Sequence, residues 1–166
     1  TLFNGLMNQP QFSSINFKKL KVSVAGGMAL QSAVAEKWMK LTDSLLIEGY
    51  GLTETSPVVC VNPISKTGNR VGTIGLPVPN TDIKLIDDND QEVQPGEQGE
   101  IAIHGPQVMQ GYWQRPDETA KVMTNDGYFK SGDVGIMDKE GYFKIVDRKK
   151  DMILVSGFNV YPNEIE

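Results

Sequence analysis

The sequence predicts an α/β layer followed by a small, distorted antiparallel β-barrel. An alternating apolar run at residues 20–24 is followed by a helical apolar pattern and then by the short apolar run 45–47. A strand, a helix and a second strand in this order normally form parallel neighbours with a right-handed connection. After residue 57, short strand-like runs are separated by turn residues, as is typical of a small barrel or sandwich.

The first part of the chain supplies the α/β layer. Apolar residues at helical spacing predict a first helix over residues 2–7, which Pro10 ends. The strand at 20–24 leads into two glycines and a second helix with one apolar face. We expect that face to consist of Leu30, Val34, Trp38 and Leu41.

The second part supplies the short strands and their turns. Strand-like runs occur at residues 71–76, 83–86 and 100–104. The acidic turn 87–90 is interpreted as a hairpin, because it lacks the Gly and the distal Glu of a calcium loop. A short helix is predicted to begin at Pro116 and run through Val122, and the turn 138–141 is predicted to close a hairpin.

Composition narrows the function classes. The 166 residues, 39% hydrophobic and 22% charged, are typical of a globular protein. The net charge of −5 argues against a nucleic-acid partner, and no apolar run approaches the ~18 residues of a membrane helix. The single cysteine, Cys60, suits a reducing compartment and has apolar neighbours that predict packing. The lone His104 has no neighbouring His or Cys for a zinc site.

Residues 48–57 (EGYGLTETSP) contain the most functional groups in the shortest space. Two glycines bracket Tyr50, which lets the backbone bend and approach a ligand closely. Tyr50 offers a flat face for stacking, Thr53 a hydroxyl, and Glu54 a carboxylate suited to Mg²⁺. The combination predicts a nucleotide site. The alternative is a glycine-rich turn after a buried strand, with Tyr50 as packing.

Two glycine pairs are predicted to lie at one edge of the sheet. Gly26 and Gly27 follow the first strand, and Gly49 and Gly51 follow the second. Ligands of open α/β sheets bind at the carboxyl ends of parallel strands, so these glycines could line an adenine slot. The pair at 26–27 alone is explained equally well by a turn that leads into a helix.

Two later segments each allow two interpretations. Asp133, in the Ser-Gly-Asp run 131–133, is either a carboxylate that accepts both hydroxyls of a ribose or one that caps its own turn. The charged run 147–151 (DRKKD) is either a solvated linker or a hinge between domains.

Taken in order, these motifs resemble the adenylate-forming superfamily of acyl-CoA synthetases, luciferases and peptide-synthetase adenylation domains. Residues 50–54 match its YGxTE motif, 131–133 its [TS]GD motif and 147–150 its DRxK/D hinge segment. Residues 156–166 match the loop that swings in for thioester formation. Within the superfamily, the stretch 147–166 is most similar to bacterial long-chain fatty acid–CoA ligases.

The resemblance implies a role for each matched residue. Gly26, Gly27, Gly49 and Gly51 would lie beside the adenine ring, on which Tyr50 would stack.

The remaining matched residues would act on the ribose, the phosphates and the hinge. Thr53 would meet the phosphate and Glu54 would bind Mg²⁺. Asp133 would hold the ribose, and Arg148 would approach the ribose and phosphate. Lys150 would be the pivot of the hinge.

The reaction implied is activation of a fatty acid by ATP to acyl-AMP, followed by attack of CoA to give acyl-CoA and AMP. ATP or AMP, Mg²⁺ and CoA are therefore the expected cofactors. The resemblance implies a cytoplasmic enzyme, and it leaves peripheral contact with the inner membrane and a homodimer open.

The resemblance also implies a domain organisation. Residues 1–60 would end the α/β adenine-binding subdomain, 61–147 would form the β-barrel-like subdomain, and 148–166 would form the hinge and the start of the C-terminal domain. We expect the chain to be an internal fragment of the large N-terminal domain and its junction. Because the family's phosphate loop and C-terminal lysine are not in the sequence, we expect this piece alone to make no acyl-adenylate.

Two alternatives stay open within and outside the superfamily. The parent could be an aryl-CoA ligase or a peptide-synthetase adenylation domain. A protein of another class, a non-catalytic β-rich binding module, could use the same fold. Binding of AMP separates the module from the enzymes, because only an adenylate site should order the nucleotide against Tyr50 and Asp133.

Overall fold

The computed structural model describes residues 2–151, 153–155 and 158–160 of the 166-residue chain. Its helices are α1 (Leu2–Met7), α2 (Ser32–Thr42) and α3 (Pro116–Val122), with 3-10 turns at Phe12–Ser14 and Thr53–Thr55. Its strands are β1 (Val22–Ala25), β2 (Leu45–Gly51), β3 (Val58–Val61), β4 (Leu76–Pro77), β5 (Asp82–Ile86), β6 (Gln98–His104), β7 (Phe129–Met137), β8 (Phe143–Arg148), β9 (Ile153–Val155) and β10 (Phe158–Val160).

The first sheet is mixed and has the strand order β1-β2-β3-β4. Strands β1 and β2 are parallel, with Val22 opposite Leu45 and Ala25 opposite Glu48. This confirms the predicted strand–helix–strand unit, in which α2 is the crossover. The other two pairs, β2 with β3 and β3 with β4, are antiparallel.

Strand β2 is longer than the sequence predicts, and β3 was not predicted. The apolar run ends at Ile47, but the strand continues to Gly51 because β3 pairs with its second half. Tyr50 therefore lies in a strand, opposite Cys60, and not in a turn after one. The turn of the alternative interpretation is therefore wrong, whereas the packing that it assigned to Tyr50 is confirmed, because the ring packs against the core.

Helix α2 packs in an aromatic cluster with most of the predicted face, because Trp38 is buried and Leu30 and Val34 pack against the cluster, but not with Leu41. Ala35 and Trp38 are buried, whereas Leu41 is 49% exposed. The Trp38 ring contacts Phe3 and Phe12, with ring centroids 4.8 Å and 5.5 Å away. The bulky indole thus fixes the orientation of the helix and turns Leu41 away from the core.

The second sheet is an antiparallel meander in the order β5-β6-β7-β8. It confirms the predicted strands at 83–86 and 100–104, the hairpin turns at 87–90 and 138–141, and the helix α3. An isolated bridge between Gly75 and Phe143 connects it to the first sheet. In the described ranges the meander does not close on itself, so the barrel predicted from the turns is an open, distorted sheet.

The predicted strand at 71–76 is wrong for most of its length. Only Leu76 belongs to a strand, β4, and the residues before it form turns. Gly72 and Gly75 have φ values of +87° and +88°, which strand residues do not adopt. These two glycines break the apolar run that suggested a strand.

The main core lies between the two sheets. Its buried residues include Cys60 and Val59 from β3, Ile101 and Ile103 from β6, and Phe143 from β8. Cys60 is fully buried, and burial raises the pKa of its thiol to about 12, which confirms packing over nucleophilic chemistry. Among the described residues, no helix has the length and apolar character needed to cross a bilayer.

The end of the chain is described only in part. Strands β9 and β10 form an antiparallel pair in which Val155 lies opposite Phe158. The predicted loop for thioester formation, residues 156–166, lies outside the described residues apart from β10. The division of the chain near residues 60 and 147 stays a prediction.

Candidate active site

Three of the residues selected from the sequence meet at one point. The Tyr50 hydroxyl donates a hydrogen bond to Asp133 Oδ2 at 2.6 Å, and Arg148 Nε lies 3.2 Å from Asp133 Oδ1. The Asp133 side chain is only 8% exposed, whereas that of Arg148 is 55% exposed. An aromatic ring, a carboxylate and a guanidinium from β2, β7 and β8 thus form one cluster.

A β-bulge places Asp133 in this cluster. In the pairing of β6 with β7, Glu100 lies opposite Val134 and Ala102 opposite Lys130. Residues 131–133 therefore face the single residue Ile101, so β7 carries two extra residues here. Bulges of this kind bend a strand and redirect its side chains, and they are common next to active sites. The Ser-Gly-Asp run is the bulge itself.

The Asp133 carboxylate does not cap its own turn. Ser131 Oγ instead accepts the Asp133 N–H at 3.1 Å. The carboxylate oxygens contact Tyr50 and Arg148, and within residues 2–151 neither is found bonded to the neighbouring backbone. The turn-capping interpretation of this residue is therefore wrong, and the carboxylate is directed away from its own loop.

Tyr50 stays a neutral hydrogen-bond donor at this position. Burial raises the pKa of its phenol well above the ordinary value, and the negative charge and hydrogen bond of Asp133 raise it further. The ring also packs against the main core. Tyr50 therefore has a structural contact along its ring and a polar contact at its tip, and the two fix the plane of the ring.

The predicted glycines lie side by side at the carboxyl ends of β1 and β2. A Cβ added to Gly26 would lie 3.2 Å from the Gly49 carbonyl oxygen, and Gly27 has a φ of +79°. Gly26 and Gly49 therefore lie at one edge as expected, but Gly49 and Gly51 lie within β2 and do not follow it. Gly51 is packed more tightly, since a Cβ there would lie 1.6 Å from the Pro57 carbonyl oxygen.

Thr53 and Glu54 lie on the 3-10 turn that follows β2. Thr53 is exposed and Glu54 is half-buried. The hydroxyl of Tyr112 donates to Glu54 Oε1 at 2.9 Å, and the Met109 N–H donates to the Glu54 carbonyl oxygen at 2.8 Å. The loop between β6 and α3 therefore holds both the backbone and the carboxylate of Glu54.

The 3-10 turn depends on the buried hydroxyl of Thr55. Thr55 Oγ1 accepts the Leu52 N–H at 3.0 Å and donates to the Pro57 carbonyl oxygen at 2.8 Å. We expect Thr55→Val to lower the free energy of unfolding by about 1–3 kcal/mol, because it removes a buried hydroxyl that pairs with two backbone groups of the turn. Denaturant unfolding of the full-length protein measures this.

The exposed hydroxyl one residue before Glu54 provides the matched control for Thr55. Thr53→Val removes the same group at an exposed position, where we expect a change within about 0.5 kcal/mol. Equal stability of the two variants would contradict the proposed dependence of the turn on Thr55.

Glu54 fits a Mg²⁺ ion that is shared with a nucleotide. Mg²⁺ is usually held by one or two carboxylates together with waters and substrate phosphates. Within the residues that the structure describes, no cluster of three or more ligating side chains occurs. One carboxylate therefore suits an ion that completes its shell with phosphate oxygens, and does not suit an ion held by the protein alone.

Sequence reasoning missed three residues around the site. Tyr112, Glu100 and Lys149 all contact selected residues or their immediate neighbours. Glu100 offered a usable signal, because it is a charged residue directly before the apolar run of a predicted strand. Lys150, which was selected, is exposed on the turn after β8 and contacts none of the cluster residues in the described part of the chain.

The fold and the cluster are those expected of a nucleotide-binding α/β protein, and comparison with known proteins identifies the family. The family model of the AMP-binding enzyme matches residues 1–113. The chain belongs to the AMP-binding enzyme family.

Particular members show the same relationship over the whole chain. The long-chain-fatty-acid–CoA ligase of Salmonella typhi is 58% identical over 166 residues, which are 100% of this chain and 29% of that ligase.

Solved structures agree with the sequence comparison. The anthranilate CoA ligase AuaEII, in complex with anthranoyl-AMP, superposes with a TM-score of 0.85 at 27% identity. The superposition covers 99% of this chain and 31% of that ligase. The O-succinylbenzoate coenzyme A synthetase of Bacillus subtilis, in complex with ATP and magnesium ion, gives a TM-score of 0.83 at 29% identity, covering 99% of this chain and 33% of that one.

Proposed function

We propose that the chain is part of a long-chain fatty acid–CoA ligase, which forms acyl-AMP from a fatty acid and ATP and then transfers the acyl group to CoA. The observation that carries the proposal is the contact of Tyr50, Asp133 and Arg148, which joins an aromatic ring to a carboxylate and a cation. The ligases that are 58% identical over the whole chain support the fatty-acid substrate.

The cluster suits the adenosine part of ATP. Tyr50 offers a ring whose plane is fixed. Beside the packed glycines 26 and 49, Gly27 leaves open backbone surface for the adenine, because an added Cβ there would meet nothing within 4 Å. Asp133 accepts one hydrogen bond, from Tyr50 on Oδ2, and forms an ion pair with Arg148 on Oδ1, whereas a carboxylate has about four acceptor positions. It therefore keeps the capacity to accept the hydroxyls of a ribose.

Arg148 has to move before a ribose reaches Asp133. The guanidinium covers a carboxylate that is 8% exposed, yet it is itself more than half exposed. An ion pair of this kind is weak enough to be exchanged for ligand contacts. After the exchange, Arg148 lies beside the ribose and the phosphate chain, where its positive charge stabilises the anion.

Thr53 and Glu54 suit the phosphates and their metal ion. The Thr53 hydroxyl is exposed and free to donate to a phosphate oxygen, and Glu54 would hold Mg²⁺. The bound ion would neutralise charge on the phosphates. Tyr112 keeps the Glu54 carboxylate in place from the other side.

The remaining expectations concern the whole enzyme. Lys150 lies on an exposed turn between β8 and β9, as a hinge pivot between the adenylation and thioester-forming arrangements requires. The division into an adenine-binding subdomain (1–60), a β-rich subdomain (61–147) and a hinge with the start of the C-terminal domain (148–166) belongs to the same proposal. So do a cytoplasmic location, peripheral contact with the inner membrane and a homodimer.

The proposed reaction is tested on the full-length enzyme. We expect pyrophosphate exchange that depends on a long-chain fatty acid, and formation of acyl-CoA when CoA is added. Aromatic carboxylic acids and free amino acids are the matched comparison substrates. Higher kcat/KM with an aromatic acid would instead support an aryl-CoA ligase, and nucleotide binding without exchange would support a non-catalytic module.

We expect Lys150→Pro in the full-length enzyme to impair one half-reaction far more than the other. Proline fixes φ near −65°, so the turn loses the freedom that a pivot needs. No hydrogen bond from the Lys150 N–H is found within residues 2–151, so the substitution removes no known contact there. Single-turnover assays of adenylation and of thioester formation measure the two steps separately.

Lys150→Ala is the control for this substitution. It removes the side chain and keeps the freedom of φ. If Lys150→Ala and Lys150→Pro reduce both half-reactions equally, the residue acts through its side chain or through folding, and not as a pivot.

A further inference from the structure

Glu100 is a buried carboxylate inside the second sheet. It lies on β6, where the flanking residues Gly99 and Ile101 are buried, and its own side chain is 8% exposed. A carboxylate in such a position is costly unless charged or hydrogen-bonding partners compensate it. The hydrogen-bond and ion-pair partners of Glu100 therefore indicate its role.

One partner of Glu100 is the bulge that carries Asp133. Glu100 Oε1 accepts the Gly132 N–H at 2.9 Å. Gly132 has a φ of +78°, so its backbone groups turn out of the regular ladder between β6 and β7. The carboxylate satisfies an amide that the bulge has removed from the sheet, one residue before Asp133.

The other partner of Glu100 is Lys149, which follows Arg148. Lys149 Nζ lies 2.9 Å from Glu100 Oε2 and 2.8 Å from Asp88 Oδ1. The Lys149 N–H donates to the Gly132 carbonyl oxygen at 2.8 Å. Both backbone groups of Gly132 are thus held, one by Glu100 and one by Lys149, and these two residues hold each other.

We propose that Glu100 and Lys149 are positioning residues for the ribose-binding site, which fix the bulge at Gly132 and thereby the carboxylate of Asp133. The inference rests on the proposed function, because it assigns the pair to the nucleotide that Asp133 would bind. The same contacts join the bulge to the segment just before Lys150. A displacement of about 1 Å in a binding group is sufficient for large losses, so the pair affects nucleotide binding without touching the nucleotide.

The test uses the full-length enzyme and the variants Glu100→Gln and Lys149→Met. Glu100→Gln keeps the size of the side chain, Lys149→Met keeps most of the aliphatic stem, and each removes the charge pair between residues 100 and 149. We expect each to raise the Kd for AMP, measured by titration calorimetry, and the KM for ATP by on the order of five- to tenfold. The KM for the fatty acid stays unchanged, since the contacts hold only the nucleotide side of the site.

Two further variants separate positioning from general stability. Lys149→Arg keeps the positive charge, and we expect it to retain an AMP Kd within about twofold of the wild type. Lys139→Met removes an exposed lysine from the β7–β8 turn and serves as the control, with AMP binding unchanged. The double variant of Glu100→Gln with Lys149→Met should bind AMP no more weakly than Lys149→Met alone, because both substitutions remove the same ion pair and Lys149→Met also removes the exposed pair with Asp88.

The outcomes distinguish this inference from the proposed function. If Asp133→Ala weakens AMP binding while Glu100→Gln and Lys149→Met bind as the wild type does, positioning by the pair is wrong and the ribose site stands. If Asp133→Ala leaves AMP binding unchanged, the ribose site itself is wrong. A fall in Tm of the two pair variants with unchanged AMP affinity would show a purely structural contact and overturn the inference.

Discussion

Asp133→Ala in the full-length enzyme should raise the KM for ATP and lower kcat/KM by roughly tenfold to more than a hundredfold. The variant loses charge-assisted hydrogen bonds to a ribose, which are worth about 1.5–3 kcal/mol, and this loss corresponds to the expected fall in kcat/KM. The variant also leaves the Tyr50 hydroxyl and the Arg148 guanidinium without the carboxylate that they now share. Steady-state kinetics with ATP varied, at saturating fatty acid and CoA, measure the effect.

Tyr50→Phe separates the ribose contact from the contact inside the protein. It removes the hydrogen bond to Asp133 Oδ2 and keeps the aromatic face. We expect it to raise the KM for ATP by less than Asp133→Ala does, because the carboxylate stays available for the ribose. Unchanged kinetics in Asp133→Ala would end the ribose assignment, whatever Tyr50→Phe does.

The part of the fold that depends on local sequence was predictable. The strand–helix–strand unit, the helix after Pro116 and the hairpin turns each follow from periodicity or turn residues that lie close together in the chain. The extension of β2 to Gly51 does not, because it depends on pairing with β3. A strand that contains two glycines has low intrinsic preference, and its partner strand decides its conformation.

The site residues that lie in short motifs were predictable from the sequence. Those that reach the site only through tertiary contacts were not. Asp133 was selected from three consecutive residues, and the structure brings it to Tyr50, which is 83 positions away. Glu100 lies in a predicted strand, but its contact with Gly132 depends on the bulge of β7. The contact of Tyr112 with Glu54 depends on the loop after β6. The spacing of residues in the sequence does not indicate which backbone amide a bulge leaves without a partner in the sheet.

The two glycines around Tyr50 look equivalent in the sequence and differ in the structure. A Cβ on Gly49 would have its nearest neighbour at 3.6 Å, the Cys60 carbonyl oxygen, which is an ordinary contact. A Cβ on Gly51 would lie 1.6 Å from the Pro57 carbonyl oxygen and 2.5 Å from its carbonyl carbon. Only Gly51 is required by close approach of the backbone, at the point where the register of β2 and β3 shifts.

Gly51→Ala is therefore expected to lower the free energy of unfolding by about 3 kcal/mol or more, at the upper end of overpacking effects. The added Cβ would clash with the Pro57 backbone, so no rotation of a side chain relieves the clash. If the Pro57 carbonyl shifts, its hydrogen bond from Thr55 is disturbed as well. Denaturant unfolding of the full-length protein measures the loss, and Gly49→Ala is the matched control, with a loss below about 1 kcal/mol. If both alanine variants are equally stable, the close approach of β2 to Pro57 is not a feature of the folded protein, and Thr53 and Glu54 are not held in place by it.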